Sequence, residues 1–195
     1  LLVALISLAG MPYVVLMPIF AKDILQGGPR TLGLLSSSGG LGALTATLFL
    51  ASRKSVVGLW KIVPLGTLIF SLGLIAFSQS RTLWLSMLLL FISGFGMITQ
   101  MASCNTLLQT IVDEDKRGRI MSLFSMAFIG VAPFGCLLGG FTAGRIGAPN
   151  TLALGGLLCF LGGLMFTRKL PEIRKTVRAI YENKGILPKK IPESA

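Results

Sequence analysis

The sequence is poor in the residues that most enzymes use for chemistry. It contains no histidine and only seven acidic residues among 195. No two cysteines have the spacing of a metal site, and no glycine-rich loop precedes the Lys and Ser or Thr that would hold a phosphate. The sequence therefore predicts no catalytic residue, no metal site and no cofactor, and it argues against an enzyme.

Charge of either sign is scarce. Charged residues make up 13% of the chain and hydrophobic residues 53%, whereas soluble domains contain about 25% charged residues. The net charge of +11 would suit nucleic acid, but the basic residues lie between apolar runs and form no patch with aromatic residues. We therefore predict a membrane protein without a nucleic-acid partner. The three cysteines lie in apolar runs and are expected to be small core residues.

Six apolar runs approach or exceed the roughly 20 residues that a membrane-spanning helix needs. They cover about 1–21, 31–51, 59–77, 83–110, 120–141 and 151–167. We therefore predict an all-α, polytopic membrane protein, with a six-helix transmembrane bundle over residues 1–167 and a tail over residues 168–195.

The tail has the pattern of an amphipathic helix. Ile173, Val177, Ile180 and Tyr181 fall on one helical face, and basic residues occupy the remainder. Such a helix is expected to lie on the anionic cytoplasmic leaflet and so to contact membrane lipids. The alternative is a tail that is merely solvated.

The distribution of Lys and Arg predicts the orientation, because cytoplasmic loops are rich in both. Of the eighteen Lys and Arg residues, fourteen lie in the tail, in the fourth loop, or within three residues of the second loop, and four lie on the other side. Both ends are thus predicted to be cytoplasmic, and "IVDEDKRGRIMSLF", residues 111–124, is expected to contain a short cytoplasmic loop. The sequence starts with Leu1 inside an apolar run, without methionine, so we expect a truncated chain.

Polar residues inside the runs are uncharged and concentrate in the fourth. No Asp, Glu, Lys or Arg lies in the centre of any run, so no proton-coupling residue is visible. At 100° per residue, Gln100 and Ser103 share one face, while Asn105 and Gln109 share another. We expect Gln100, Ser103 and also Tyr13 to line a substrate cavity, and Asn105 and Gln109 to brace the cytoplasmic end. The alternative for the residues of the fourth run is plain interhelical hydrogen bonding.

The fifth run combines close glycine spacing with a proline. Gly135 and Gly139 are four residues apart, and Gly140 begins a second series of the same spacing. Small residues at this spacing let helices approach closely, and Pro133 removes one backbone donor and is expected to bend the helix. We expect a helix that rocks against a neighbour, or alternatively one that packs tightly without moving.

Two stretches resemble a known family. "NTLLQTIVDEDKRGRIMSLFSMAFIGVAPFGCLLGGFTAGRIGA", residues 105–148, is similar to the tenth and eleventh helices of the major facilitator superfamily, in the branch of the enterobactin exporter and macrolide efflux proteins. "MPYVVLMPIFAKDILQGGPRTLGLLSSSGGLGAL", residues 11–44, resembles the seventh and eighth helices of that branch. The likeness covers residues 1 to about 167.

The resemblance implies a 12-helix transporter of the bacterial inner membrane, of which this chain would be the C-terminal half. Such proteins bind substrate between two halves and work by alternating access, usually driven by protons; this branch exports siderophores, drugs or other amphiphilic small molecules. The implied partners are the N-terminal six-helix half, a small-molecule substrate and membrane lipids.

The resemblance also implies roles for particular residues. Asp115, Arg117, Gly118 and Arg119 look like a cytoplasmic gate whose arginines exchange carboxylate partners during the cycle. Pro133, Gly135, Gly139 and Gly140 match a second-half counterpart of the antiporter motif in the fifth run, although Ala132 replaces the glycine before the proline.

Two other functions remain open at this point. One is a self-contained six-span protein that forms a homodimer or acts as a membrane scaffold. The other keeps the transporter fold but carries a lipid. An upstream start codon and transport of labelled lipid, respectively, would favour these alternatives.

Overall fold

The computed structural model describes residues 1–53, 58–171 and 177. All regular elements in these residues are helical, and six helical stretches are long and apolar enough to cross a membrane. We name them spans 1 to 6: Leu2–Ile24, Pro29–Ala51, Leu59–Gln79, Leu83–Ile111, Glu114–Ile146 and Ala148–Arg168. The predicted all-α membrane fold is confirmed, and every predicted run except the fifth lies within a few residues of a span.

Proline and glycine set where several spans begin. Pro29 and Pro149 lie in the first turns of spans 2 and 6, where the fixed φ suits a helix and the missing N–H leaves no bond unmade. Gly58 and Gly147 precede spans 3 and 6 with φ of +89° and +84°. Glycine adopts these angles without steric cost, so the chain can enter both spans through tight turns.

Spans 1 and 5 are interrupted by wider π-helical turns. Span 1 consists of α-helix Leu2–Leu5, π-helix Ile6–Gly10, α-helix Pro12–Ile19 and π-helix Phe20–Ile24. Span 5 consists of α-helix Glu114–Ser125, π-helix Met126–Gly130 and α-helix Ala132–Ile146. Short π segments are frequent at functional sites, so these interruptions distinguish spans 1 and 5 from the other four.

Span 3 lies at the centre of the bundle. It packs extensively against spans 4 and 6, span 2 packs against span 4, and span 1 packs against spans 5 and 6. Phe20 of span 1 stacks on Phe77 of span 3 with ring centroids 4.7 Å apart. Half of the most apolar part of span 3 is buried, against 6% of that of span 5. Span 5 is therefore the most peripheral span.

The charged stretch is a helix and not a loop, so the prediction of a loop was wrong. Only Val112 and Asp113 separate spans 4 and 5, and span 5 begins at Glu114. Glu114 and Asp115 occupy its first turn, where the helix macrodipole favours negative charge. The sequence prediction took charge to mark the end of a span, but the acidic residues stabilise the helix start.

Most of the predicted basic tail lies outside the described residues. Beyond Pro171, Val177 is the one tail residue that the structure describes. Its side chain is only 4% exposed. It packs with Leu107 of span 4, and Trp60 and Ile111 pack against this pair. Val177 therefore lies at the ends of spans 3 and 4.

The cysteines have different surroundings. Cys159 is fully buried in a small core cluster with Ile6, Phe70 and Leu74, as expected for a core residue. Cys104 and Cys136 are free and only partly buried, so these two are not fully enclosed by the bundle.

Candidate functional site

The predicted gate residues lie in the first two turns of span 5, where the helix is exposed. Asp115, Arg117, Gly118 and Arg119 are all exposed. Nη2 of Arg117 lies 3.8 Å from Oε1 of Glu114, one turn earlier. A β-carbon on Gly118 would meet nothing within 4 Å, so no neighbouring backbone or side chain packs against this glycine within the residues that the structure describes. The cluster presents charge to its surroundings and not to the bundle.

The predicted cavity residues Gln100 and Ser103 point into the bundle. Gln100 is 2% exposed and Ser103 1%. A β-carbon on Gly66 of span 3 would lie 2.7 Å from the main-chain nitrogen of Gln100, so the two backbones are in close contact. These two side chains are therefore buried within the bundle wall, and their role as cavity residues stays a prediction.

Tyr13 approaches span 3 one turn away from Gln100. Its ring and that of Phe70 form a T-shaped pair with centroids 6.3 Å apart, and Phe70 follows Gly66 by four residues. Tyr13 is only half-buried. Of the three predicted cavity residues, it alone retains appreciable exposure.

Asn105 and Gln109 bond to each other. Nε2 of Gln109 donates a hydrogen bond to Oδ1 of Asn105 at 3.1 Å, in an exposed setting. At 100° per residue they lie about 140° and 180° around span 4 from Gln100. The two predicted faces of span 4 thus differ in burial, with the amide pair on the open side.

The two glycine series of span 5 meet different surroundings. A β-carbon on Gly135 would lie 2.5 Å from the carbonyl oxygen of Leu8, and one on Gly139 would overlap the ring of Pro12. A β-carbon on Gly140 would meet nothing within 4 Å. The packing predicted for Gly140 is therefore absent from the described structure. Gly140 follows Gly139 by one residue, so it points about 100° away from the face of span 5 that contacts span 1.

The π-helical segments of spans 1 and 5 are joined by a hydrogen bond that the sequence did not indicate. The hydroxyl of Ser7 donates to the main-chain carbonyl of Phe128. The break in span 5 falls just before Pro133, which lies in the first turn of the helix that follows. Serine in an apolar run is common, so no signal in the sequence could have identified this pair.

An apolar groove of about 220 Å³ lies between spans 1, 5 and 6. It is lined mostly by aliphatic side chains and glycines, with two threonines. The hydroxyl of Thr142 bonds to carbonyls of its own helix, and that of Thr151 bonds to the carbonyl of Gly147. The groove thus offers contact to hydrocarbon and few free polar groups.

Within residues 1–53, 58–171 and 177, no group of three or more His, Cys, Asp or Glu side chains is placed to hold a metal ion. Every Asp, Glu, Lys and Arg of the six spans lies within six residues of a span end. Charge is therefore confined to the ends of the spans.

The sequence of residues 2–185 matches the family described as transmembrane secretion effectors, a group of major facilitator type. The chain belongs to this family. Membership shows a transporter of the major facilitator type, and it agrees with the six helices that are able to cross a membrane. No curated protein matches this secretion effector homologue.

Proposed function

We propose that this secretion effector homologue is the C-terminal half of a 12-helix exporter of small amphiphilic molecules, such as siderophores or drugs, in the bacterial cytoplasmic membrane. The proposal rests on the family and on the uneven burial of the spans. The most apolar parts of spans 2 and 5 are only 22% and 6% buried, against 50% for span 3. An N-terminal six-helix half would cover part of this exposed surface, and lipid would cover the rest.

An amphiphilic substrate fits the two kinds of surface that the chain offers. The groove between spans 1, 5 and 6 is almost wholly apolar, while the amide pair of Asn105 and Gln109 lies on the open side of span 4. A molecule with both hydrocarbon and hydrogen-bonding groups could contact both surfaces. In this proposal Tyr13 contacts the substrate directly, whereas Gln100 and Ser103 do so only when span 4 moves relative to span 3.

The coupling residue of this proposal lies outside the chain. Protons drive transport in this proposal, and proton relays in membranes use ionisable side chains within the spans. The spans described carry Asp, Glu, Lys and Arg near their ends alone. We therefore assign the coupling carboxylate to the N-terminal half.

Arg117 and Arg119 form the cytoplasmic gate in this proposal, with Asp115 and Gly118 in the same turns. Both ends of the chain are then cytoplasmic, as the distribution of Lys and Arg predicts. The ion pair of Arg117 with Glu114 is long and exposed, and such pairs contribute about 0–1 kcal/mol. Because so little holds Arg117 in place, it can exchange Glu114 for a carboxylate of the N-terminal half in the outward-facing state.

The test is dye efflux from cells that express the full-length transporter. We expect Arg117→Ala combined with Arg119→Ala to abolish efflux at normal expression, because the gate loses both guanidinium groups. Lys116→Ala is the matched control, since it removes an exposed positive charge from the same turn. Efflux at the wild-type rate in the double variant would disprove the gate. Transport of labelled lipid without dye efflux would favour a lipid carrier.

A further inference from the structure

Three polar atoms in one stretch of span 4 are buried without a protein partner. They are Oγ1 of Thr99, Nε2 of Gln100 and Oγ of Ser103, and their residues are at most 2% exposed. Buried polar atoms in proteins nearly always have a hydrogen-bond partner. Three exceptions so close together in the sequence point to a site.

Other buried hydroxyls of the bundle are paired. Thr67 donates to the carbonyl of Val63 on its own helix, and Ser93 donates to that of Leu89. Ser86 donates to the hydroxyl of Ser80. Pairing with a carbonyl of the same helix is therefore the usual solution in this bundle, and Thr99 and Ser103 depart from it.

Helical geometry brings the three side chains to adjoining positions. Thr99 and Ser103 are four residues apart, and Gln100 and Ser103 are three apart, which are the spacings of neighbours on a helix surface. The backbone of Gln100 lies against Gly66 of span 3, where a β-carbon would also lie 3.0 Å from Cβ of Gln100. The three groups thus lie beside the contact between spans 3 and 4.

The chemistry of the three groups selects an uncharged ligand. Two hydroxyls and an amide N–H can donate, and the hydroxyls can also accept. The described spans place no Asp, Glu, Lys or Arg near the middle of span 4, so a buried ion would lack a compensating charge, which is very costly. A purely apolar ligand would leave all three atoms unpaired.

We propose that Thr99, Gln100 and Ser103 bind water inside the bundle, beside the contact between spans 3 and 4. A buried water molecule makes about three hydrogen bonds, which matches the three unpaired atoms. Water also donates and accepts, as the two hydroxyls require. This inference depends on the membrane fold alone and stands whether or not the chain exports amphiphiles.

The first test uses substitutions that keep shape and remove polarity, namely Thr99→Val and Ser103→Ala in the full chain. If the site holds water, each variant lowers the melting temperature in detergent, because removal of the hydroxyl leaves the water molecule with fewer hydrogen-bond partners. The double variant then loses less than the sum of the two, since both residues share one ligand. Thr67→Val is the control for removing a buried hydroxyl that bonds within its own helix.

If the site holds no water, the change in melting temperature has the opposite sign. Removal of an unpaired buried hydroxyl then raises the melting temperature or leaves it unchanged, and this result would overturn the proposal.

Hydroxyl-radical labelling with mass spectrometry checks the native protein without any substitution. Bound water should direct oxidation to Cys104, four residues after Gln100 on nearly the same helical face, above the level at Cys136 of span 5, which is likewise free and partly buried. Labelling of Cys104 no higher than that of Cys136 would also count against bound water. Because neither readout measures efflux, failure of this inference is distinguishable from failure of the proposed transport function.

Discussion

The hydroxyl of Ser7 and the main-chain carbonyl of Phe128 link the π-helical segments of spans 1 and 5. Both segments are followed within three residues by a proline, Pro12 or Pro133. Proline lacks an N–H, so the carbonyl four residues before it loses its α-helical donor. The link therefore lies where the backbones of both spans are irregular, and it ties peripheral span 5 to the bundle.

Ser7→Ala tests this link. One hydrogen bond contributes about 0.5–1.5 kcal/mol, so we expect a small drop in melting temperature together with slower efflux by the full-length transporter. Ser122→Ala is the control, because its hydroxyl bonds to the carbonyl of Arg119 on the same helix in an exposed position. Equal stability and equal efflux in Ser7→Ala and the wild type would mean that the link is dispensable.

Gly135 and Gly140 form a matched pair for a test of packing. Gly135→Ala forces a methyl group against the carbonyl of Leu8, and overpacking of this kind typically costs about 1–3 kcal/mol. Gly140→Ala adds the same methyl group in open space, so it should leave the melting temperature unchanged or raise it slightly. Thermal unfolding in detergent compares the two. A drop of the same size in both variants would contradict the observed packing of span 5.

Glu114→Gln separates a stabilising role of the Arg117 ion pair from a role in gating. The pair is exposed and 3.8 Å long, so its loss should change stability by no more than about 1 kcal/mol. We expect near-wild-type efflux as well, because Arg117 keeps its charge. Should this variant unfold at much lower temperature, the first turn of span 5 depends on the pair more than its exposure indicates.

Val177 tests whether the segment after span 6 is held at the ends of spans 3 and 4. Val177→Ala removes two buried methyl groups from the contact with Leu107, and at about 0.8 kcal/mol per buried carbon the melting temperature should fall measurably. Leu137→Ala is the control, because this leucine is 74% exposed and faces away from the bundle. Deletion from Pro171 onward should destabilise the protein at least as much as Val177→Ala; an unchanged melting temperature would show that the contact contributes nothing.

The six spans could be predicted because long apolar runs between charged turns leave few other structures in a membrane. The start of span 5 could not, since the same charged residues suit either a loop or the first turns of a helix. Helical periodicity also separated the face of Gln100 from that of Asn105. It could not tell which face would be covered, because that depends on where span 3 packs.

The glycines show the same limit. A spacing of four residues marks both Gly135 with Gly139 and Gly140 with Gly144, and only the position of span 1 decides which series makes contact. The linked π-helical segments Ile6–Gly10 and Met126–Gly130 are as apolar as their surroundings. The prolines that follow them predict a local irregularity of the helix, but not that it takes the form of a π turn.

The wide turn Met126–Gly130 also affects how a change in chain length would rotate the two ends of span 5 relative to each other. A π turn holds one residue more than an α turn. Because the π turn winds its additional residue into about one revolution, loss of a single residue would restore an α turn and leave the charged turns Glu114–Arg119 in nearly the same orientation relative to Gly135 and Gly139. The same change within the α-helical part of span 5 would instead rotate them by about 100°, so this segment can absorb a change in chain length that would otherwise turn the proposed gate.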